Sequence, residues 1–88
     1  MKIKDGFLLR EIVGTNVVIP TGERVIEFNG MITLNDVGAF IWSQLQNECT
    51  FNELLTSILD RYDVDADTAK TDLEELLTLI RKNGALEE

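Results

Sequence analysis

Apolar and polar positions change rhythm near Leu34. Before it, short β-rich runs alternate with turn residues; after it, apolar side chains recur every three or four residues, the period of a helix. Residues 7–13 predict a first strand, ended by Gly14-Thr15-Asn16, and residues 17–19 a second, closed by Pro20-Thr21-Gly22. Residues 25–28 and 31–34 flank Asn29-Gly30, a strong hairpin signal because both central positions of a tight hairpin turn need positive φ. In such a hairpin Phe28 faces Met31 and Ile26 faces Thr33, with Val25, Glu27, Ile32 and Leu34 on the other side. Both faces are mostly apolar, whereas a free-standing antiparallel sheet keeps one polar face. A helix or a partner is therefore expected to cover the second face.

Three helical patterns follow. Asn35 is a good N-cap, after which Val37, Phe40, Ile41 and Leu45 share a face. Thr50-Phe51-Asn52-Glu53 is a capping box, and it opens the amphipathic run Phe51, Leu54, Leu55, Ile58, Leu59 and Tyr62. The third helix is expected to start at Asp65 and to bury Ala69, Leu73, Leu76 and Ile80. Asn83-Gly84 stops it, with Ala85-Leu86 folding back on the last turn. Acidic residues crowd its first half and Arg81 and Lys82 its end, as the helix dipole favours. The expected helices span residues 36–47, 51–62 and 66–82. The fold class is thus α+β: an N-terminal antiparallel sheet of three to four strands, then three helices in a winged helix-turn-helix arrangement. Residues 1–88 are expected to form a single domain.

Charge then narrows the chemistry. Sixteen acidic against eight basic residues give a formal net charge of −8, which repels phosphate backbones and anionic lipid. The third helix carries five acidic and three basic side chains between Asp65 and Asn83, with Asp65 and Asp67 in its first turn. A DNA-reading helix needs Arg, Lys, Asn or Gln there. Neither nucleic acid nor membrane is expected as a partner. The sequence contains no histidine, which removes the commonest general base and transition-metal ligand. Asp63, Asp65, Asp67 and Glu74 match the acidic positions of a calcium loop, but Thr68 stands where the loop needs glycine. Helix capping accounts for the same carboxylates, so no metal is expected. Cys49 is the sole cysteine and has no activating partner, which predicts a half-buried packing residue. Trp42, about 100° from the centre of its helix's apolar stripe, is expected to pack against the sheet. No catalytic residue and no cofactor are expected. With no signal-peptide pattern and no apolar run of the roughly 20 residues a span needs, the expected location is the cytoplasm.

Several of these residues also fall in a familiar order. Leu34-Asn35-Asp36-x-Gly38-Ala39-x-Ile41-Trp42, then Thr50, Tyr62-Asp63-Val64-Asp65, Asp72, Leu79 and Gly84, resemble the PqqD-like family, also called the RiPP recognition element. Phe7-x-Leu9-Arg10-Glu11-Ile12 and the Phe28-Asn29-Gly30 turn match its N-terminal half, so the resemblance covers nearly the whole chain. It implies a catalytically inert winged helix-turn-helix domain that binds the leader segment of a ribosomally made precursor peptide. It also implies a modifying enzyme acting in trans, frequently a radical S-adenosylmethionine (radical SAM) protein, and a leader held as an added β-strand beside the third helix.

On that expectation the peptide pairs with the backbone of Val25, Ile26, Glu27 and Phe28, since main-chain pairing gives affinity without demanding one sequence. One flank of the third helix forms the other wall. Lys70, Glu74, Leu77 and Arg81 are the expected flank, two cations bracketing a leucine for an acidic leader; Thr68, Asp72 and Leu79 form the alternative. A homodimer is expected, because covering the apolar hairpin and its strand edges is favourable. The competing readings are an acidic helix-turn-helix regulator and a small oligomerising subunit acting on a partner protein.

Overall fold

A two-residue turn at Val13-Gly14 organises the first half of the computed structural model, which describes residues 1–22 and 32–88. Both turn residues have positive φ, 50° and 77°, the pattern whose twist suits a tight hairpin. The turn therefore closes sooner than expected, and Thr15 and Asn16 join the second strand. The strands are β1 (Lys2–Ile3), β2 (Phe7–Ile12), β3 (Thr15–Pro20), β4 (Ile32–Leu34) and β5 (Leu86–Glu87). Among the described residues, β2, β3 and β4 form an antiparallel sheet in that order. Of the expected hairpin at 25–34, Ile32–Leu34 is a strand, while residues 25–31 lie outside the described ones.

Val13 is 99% exposed, so its side chain gains nothing from packing while a β-branched residue at positive φ is strained. Val13→Asn is expected to stabilise the fold by about 1 kcal/mol, read as a higher midpoint in urea. A lower midpoint would show that this turn is not under strain.

The register pairs Ile12 with Thr15, Val18 with Ile32 and Asn16 with Leu34. Residues directly opposite share a face, so Phe7, Leu9, Val18, Ile32 and Leu34 point inward and Leu8, Arg10, Ile12 and Thr33 outward. The inner face meets the helices. There Trp42 is fully buried and takes the Phe7 ring edge-to-face at 6.4 Å, the packing role expected of it.

Helices α1 (Asp36–Gln44), α2 (Phe51–Arg61) and α3 (Ala66–Lys82) follow. Each begins where its capping residue predicts. The Gly38 N–H donates to Asn35 Oδ1 at 2.8 Å. Thr50 and Glu53 exchange the two bonds of the capping box at 3.1 and 2.9 Å. Asp65 accepts from the Thr68 N–H at 2.8 Å and from its hydroxyl at 3.0 Å. Helix α1 ends three residues early because Gln46 and Asn47 donate to Ser43 and Gln44, tightening its last turn. Helix α3 ends in a Schellman motif: Gly84, at φ 73°, donates to the Arg81 carbonyl and Ala85 to that of Ile80.

The bonds from Thr68 hold the Asp65 carboxyl below its ordinary value. A lowered pKa stabilises the fold fully above the unfolded carboxylate range, and the contribution is lost as pH falls through the folded value. Asp65→Asn keeps a capping oxygen but cannot titrate. Its stability is expected to fall less steeply than that of the parent below about pH 4; parallel acid-unfolding curves would refute the assignment.

One pairing has no counterpart in the apolar periodicity. After the Schellman turn the chain leaves α3 as β5, which pairs antiparallel with β1 through Lys2–Glu87 and Ile3–Leu86. Ile3 also donates to the Leu45 carbonyl and Lys4 to that of Ala85. Ile3, Ala85 and Leu86 thereby join the core with Ile41, Leu54, Ile58, Leu73, Leu77 and Ile80. Cys49 lies half-buried with its thiol donating to the Gln44 carbonyl. Burial, helped by Glu53, raises its pKa, which suits a packing residue and not a nucleophile. No helix among the described residues is long and apolar enough to cross a membrane.

Candidate functional site

Antiparallel ladders alternate between pairs that exchange both backbone bonds and pairs that exchange none. The turn at Val13-Gly14 makes Ile12–Thr15 a bonded pair. Counting outward, Thr15, Val17 and Ile19 spend their backbone groups on β2, whereas Asn16 and Val18 spend theirs on Leu34 and Ile32. Pro20, which has no N–H, falls where none is needed for β2. Thr33 is left with its N–H and C=O pointing away from β3, and no strand among the described residues takes them up.

Beside that edge lies a cleft of about 290 Å³. Thr33, Leu34 and Asn35 form one wall, and Val37 and Gly38 the start of α1. Ile41 and Ile58 make the floor, and Asp72, Leu73, Glu75, Leu76 and Leu79 of α3 the far wall. Gly38 permits the close approach of α1 to the end of β4: a Cβ there would sit 3.3 Å from that of Leu34 and 3.2 Å from Asn35 Oδ1. The interior is aliphatic, and the polar groups are the backbone edge on one side and the α3 carboxylates on the other. Such an arrangement can hold an extended chain by its backbone and alternate side chains; it holds no nucleophile–base pair.

A second, more open depression lies between α1, the end of α2 and Asn16 of β3. Phe40 and Tyr62 meet edge-to-face at 5.8 Å, and the Arg61 guanidinium sits 4.8 Å from the Phe40 ring centre. Among the described residues no three Cys, Asp or Glu side chains are grouped to hold a metal ion.

The expected α3 flank lies away from this cleft. Leu77 is 4% exposed and belongs to the core; it is not a leucine presented between two cations. Lys70 and Glu74 are exposed and line no part of the cleft, and Arg81 is bound to Glu88 through contacts of 2.7 and 3.2 Å. The buried stripe of α3 is Ala69, Leu73, Leu77 and Ile80, with Leu76, expected in it, only partly buried. Ile3, Ala85 and Leu86 of strands β1 and β5 and the turn before β5 belong to the same core. The opposite flank faces the cleft: Asp72 and Leu79, weighed as the alternative, both line it, although Thr68 does not. Sequence reasoning overlooked Glu75 and the far half of the cleft, Val37, Gly38, Ile41 and Ile58. Val25, Ile26, Glu27 and Phe28, expected to offer the pairing edge, lie outside the described residues.

The family model described as Coenzyme PQQ synthesis protein D (PqqD) matches residues 16–86. No curated protein matches the chain. Among solved structures, TbiB1 in complex with the TbiA(beta) leader peptide is 28% identical. The match covers 99% of this chain and 95% of that one, with a TM-score of 0.77. Lasso peptide synthetase B1 complexed with the leader peptide is 18% identical, covering 99% and 96% with a TM-score of 0.74, a likeness of fold alone.

Proposed function

The chain belongs to the PqqD family, and we propose that it is a non-catalytic adaptor that holds the leader segment of a ribosomally made precursor peptide for a modifying enzyme acting in trans. The observation that carries this reading is the backbone of Thr33, which no strand among the described residues takes up, beside an aliphatic cleft. A leader laid along β4 exchanges two backbone bonds with Thr33, extends the sheet, and sends alternate side chains between β4 and α3. That TbiB1 is similar along its whole length and was solved with a leader peptide supports the same assignment. The lack of any histidine supports a binding role over a catalytic one. The acidic start of α3 speaks against DNA.

In this reading residues 1–88 act as one peptide-recognition domain in the cytoplasm, the modifying enzyme being of the radical SAM type most often linked with the family. Self-association forms part of the proposal through the outer edge of β2, where Leu8 and Ile12 are exposed.

Peptides selected by this protein from a displayed library of random twelve-residue sequences provide the test. In amide NMR and hydrogen exchange, binding is expected to protect the Thr33 amide and shift Val37, Leu76 and Leu79. Perturbations confined to Phe40, Arg61 and Tyr62 would move the site to the other depression and refute strand addition at β4.

A further inference from the structure

We infer that the segment this cleft selects is cationic, carrying a lysine or arginine beside two apolar side chains spaced two residues apart; the inference rests on the strand-addition reading above. The spacing comes from the ladder. A peptide residue opposite Thr33 shares the outward face of Thr33, so its two neighbours share the inward face of Ile32 and Leu34. Those two side chains, at positions i and i+2, are the ones directed between β4 and α3. The wall they meet there is aliphatic, formed by Val37, Ile41, Leu76 and Leu79. Apolar side chains gain by leaving water for such a surface.

The charge comes from α3. Asp72 and Glu75 line the same cleft, both exposed, and neither has an ion-pair partner among the described residues. Among the described residues no Lys or Arg lines the cleft. The three cations of α3 are outside its lining: Lys70 on the opposite flank, Arg81 held by Glu88, and Lys82 at the helix end. An acidic peptide would bring its carboxylates against Asp72 and Glu75, with the net charge of −8 adding to the repulsion. A cation placed next to the apolar pair meets two carboxylates that already point at its path. Like-charge rejection and opposite-charge attraction thus both act on the same choice, which is how specificity between similar extended peptides arises.

The displayed random library tests this directly, with the full chain as bait. Enriched sequences are expected to show apolar residues at i and i+2 with Lys or Arg adjacent, and to bind at least tenfold more weakly when that cation becomes Glu. Raising the salt concentration should weaken binding of the parent sequences. Asp72→Lys combined with Glu75→Lys alters two exposed helix positions, so folding can be confirmed by circular dichroism; this variant is expected to enrich acidic peptides instead. Peptides that bind, lose binding in Leu79→Asp, and show no charge preference would overturn the inference while leaving strand addition intact. Enrichment of Asp or Glu by the parent would overturn it as well. Selected peptides that bind equally well to Leu79→Asp, or no enrichment at all, would overturn both.

Discussion

Replacing Trp42 with alanine is expected to lower the unfolding free energy by about 3–5 kcal/mol. The indole is 1% exposed and lies at the junction of sheet and helices, with Phe7 of β2 packed edge-to-face on it. Neighbours can close only part of the space it leaves, because the sheet and α1 are each held by their own backbone bonds. Domains of this size have roughly 5–15 kcal/mol in total, so the variant is expected to retain little margin and to melt far earlier. Chemical unfolding followed by circular dichroism measures the loss, and Trp42→Phe should recover a large part of it. A loss below about 1 kcal/mol, the scale of an ordinary surface change, would mean that Trp42 does not join sheet to helices.

The second large effect is expected on binding, with folding unchanged. Leu79 is 39% exposed on the α3 wall of the cleft, an apolar surface that a bound chain would cover. Full burial of a leucine is worth about 1.5–3 kcal/mol, of which covering the exposed part of Leu79 recovers roughly 0.6–1.2 kcal/mol. A carboxylate covered in its place adds a desolvation cost, so Leu79→Asp should weaken a library-selected peptide about tenfold or more. Because Leu79 lies outside the core, its circular dichroism spectrum should match the parent. Lys70→Glu with Arg81→Glu, on the opposite flank, is expected to leave affinity within about twofold, since neither residue borders the cleft. Calorimetry on the three proteins decides between the flanks. A double variant that binds weakly beside a fully active Leu79→Asp would return the site to the Lys70 side.

Much of this protein could be read from local chemistry. Asn35, Thr50 and Asp65 each cap the helix they predict, because a side-chain oxygen satisfying a free N–H involves only three or four consecutive residues. Gly84 ends α3 for the same reason, its positive φ being a property of one position. The 3.6-residue period placed α1, α2 and α3 in order behind the strands, and with them the winged helix-turn-helix class. Absence of histidine and the excess of carboxylates set the expectation against catalysis and nucleic acid.

What the tertiary structure decided is which surfaces face one another. On a helical wheel Leu76 and Leu77 differ by one 100° step, and either could edge the stripe of α3. Leu77 is the more deeply buried, in a core that Ile3, Ala85 and Leu86 also enter from the β1–β5 pair. That pair joins residues more than eighty positions apart, and two-residue strands carry no period to announce them. The core's shift toward Leu77 leaves Asp72 and Leu79 on the side of β4, so the cleft opens there and not beside Lys70. That Thr33 turns its backbone groups away from β3 likewise follows from strand order and from the turn that sets the bonding parity. Capping, periodicity and charge are local quantities that a chain carries in its residue order. A groove is a relation between distant segments, and only their packing together determines which side chains line it.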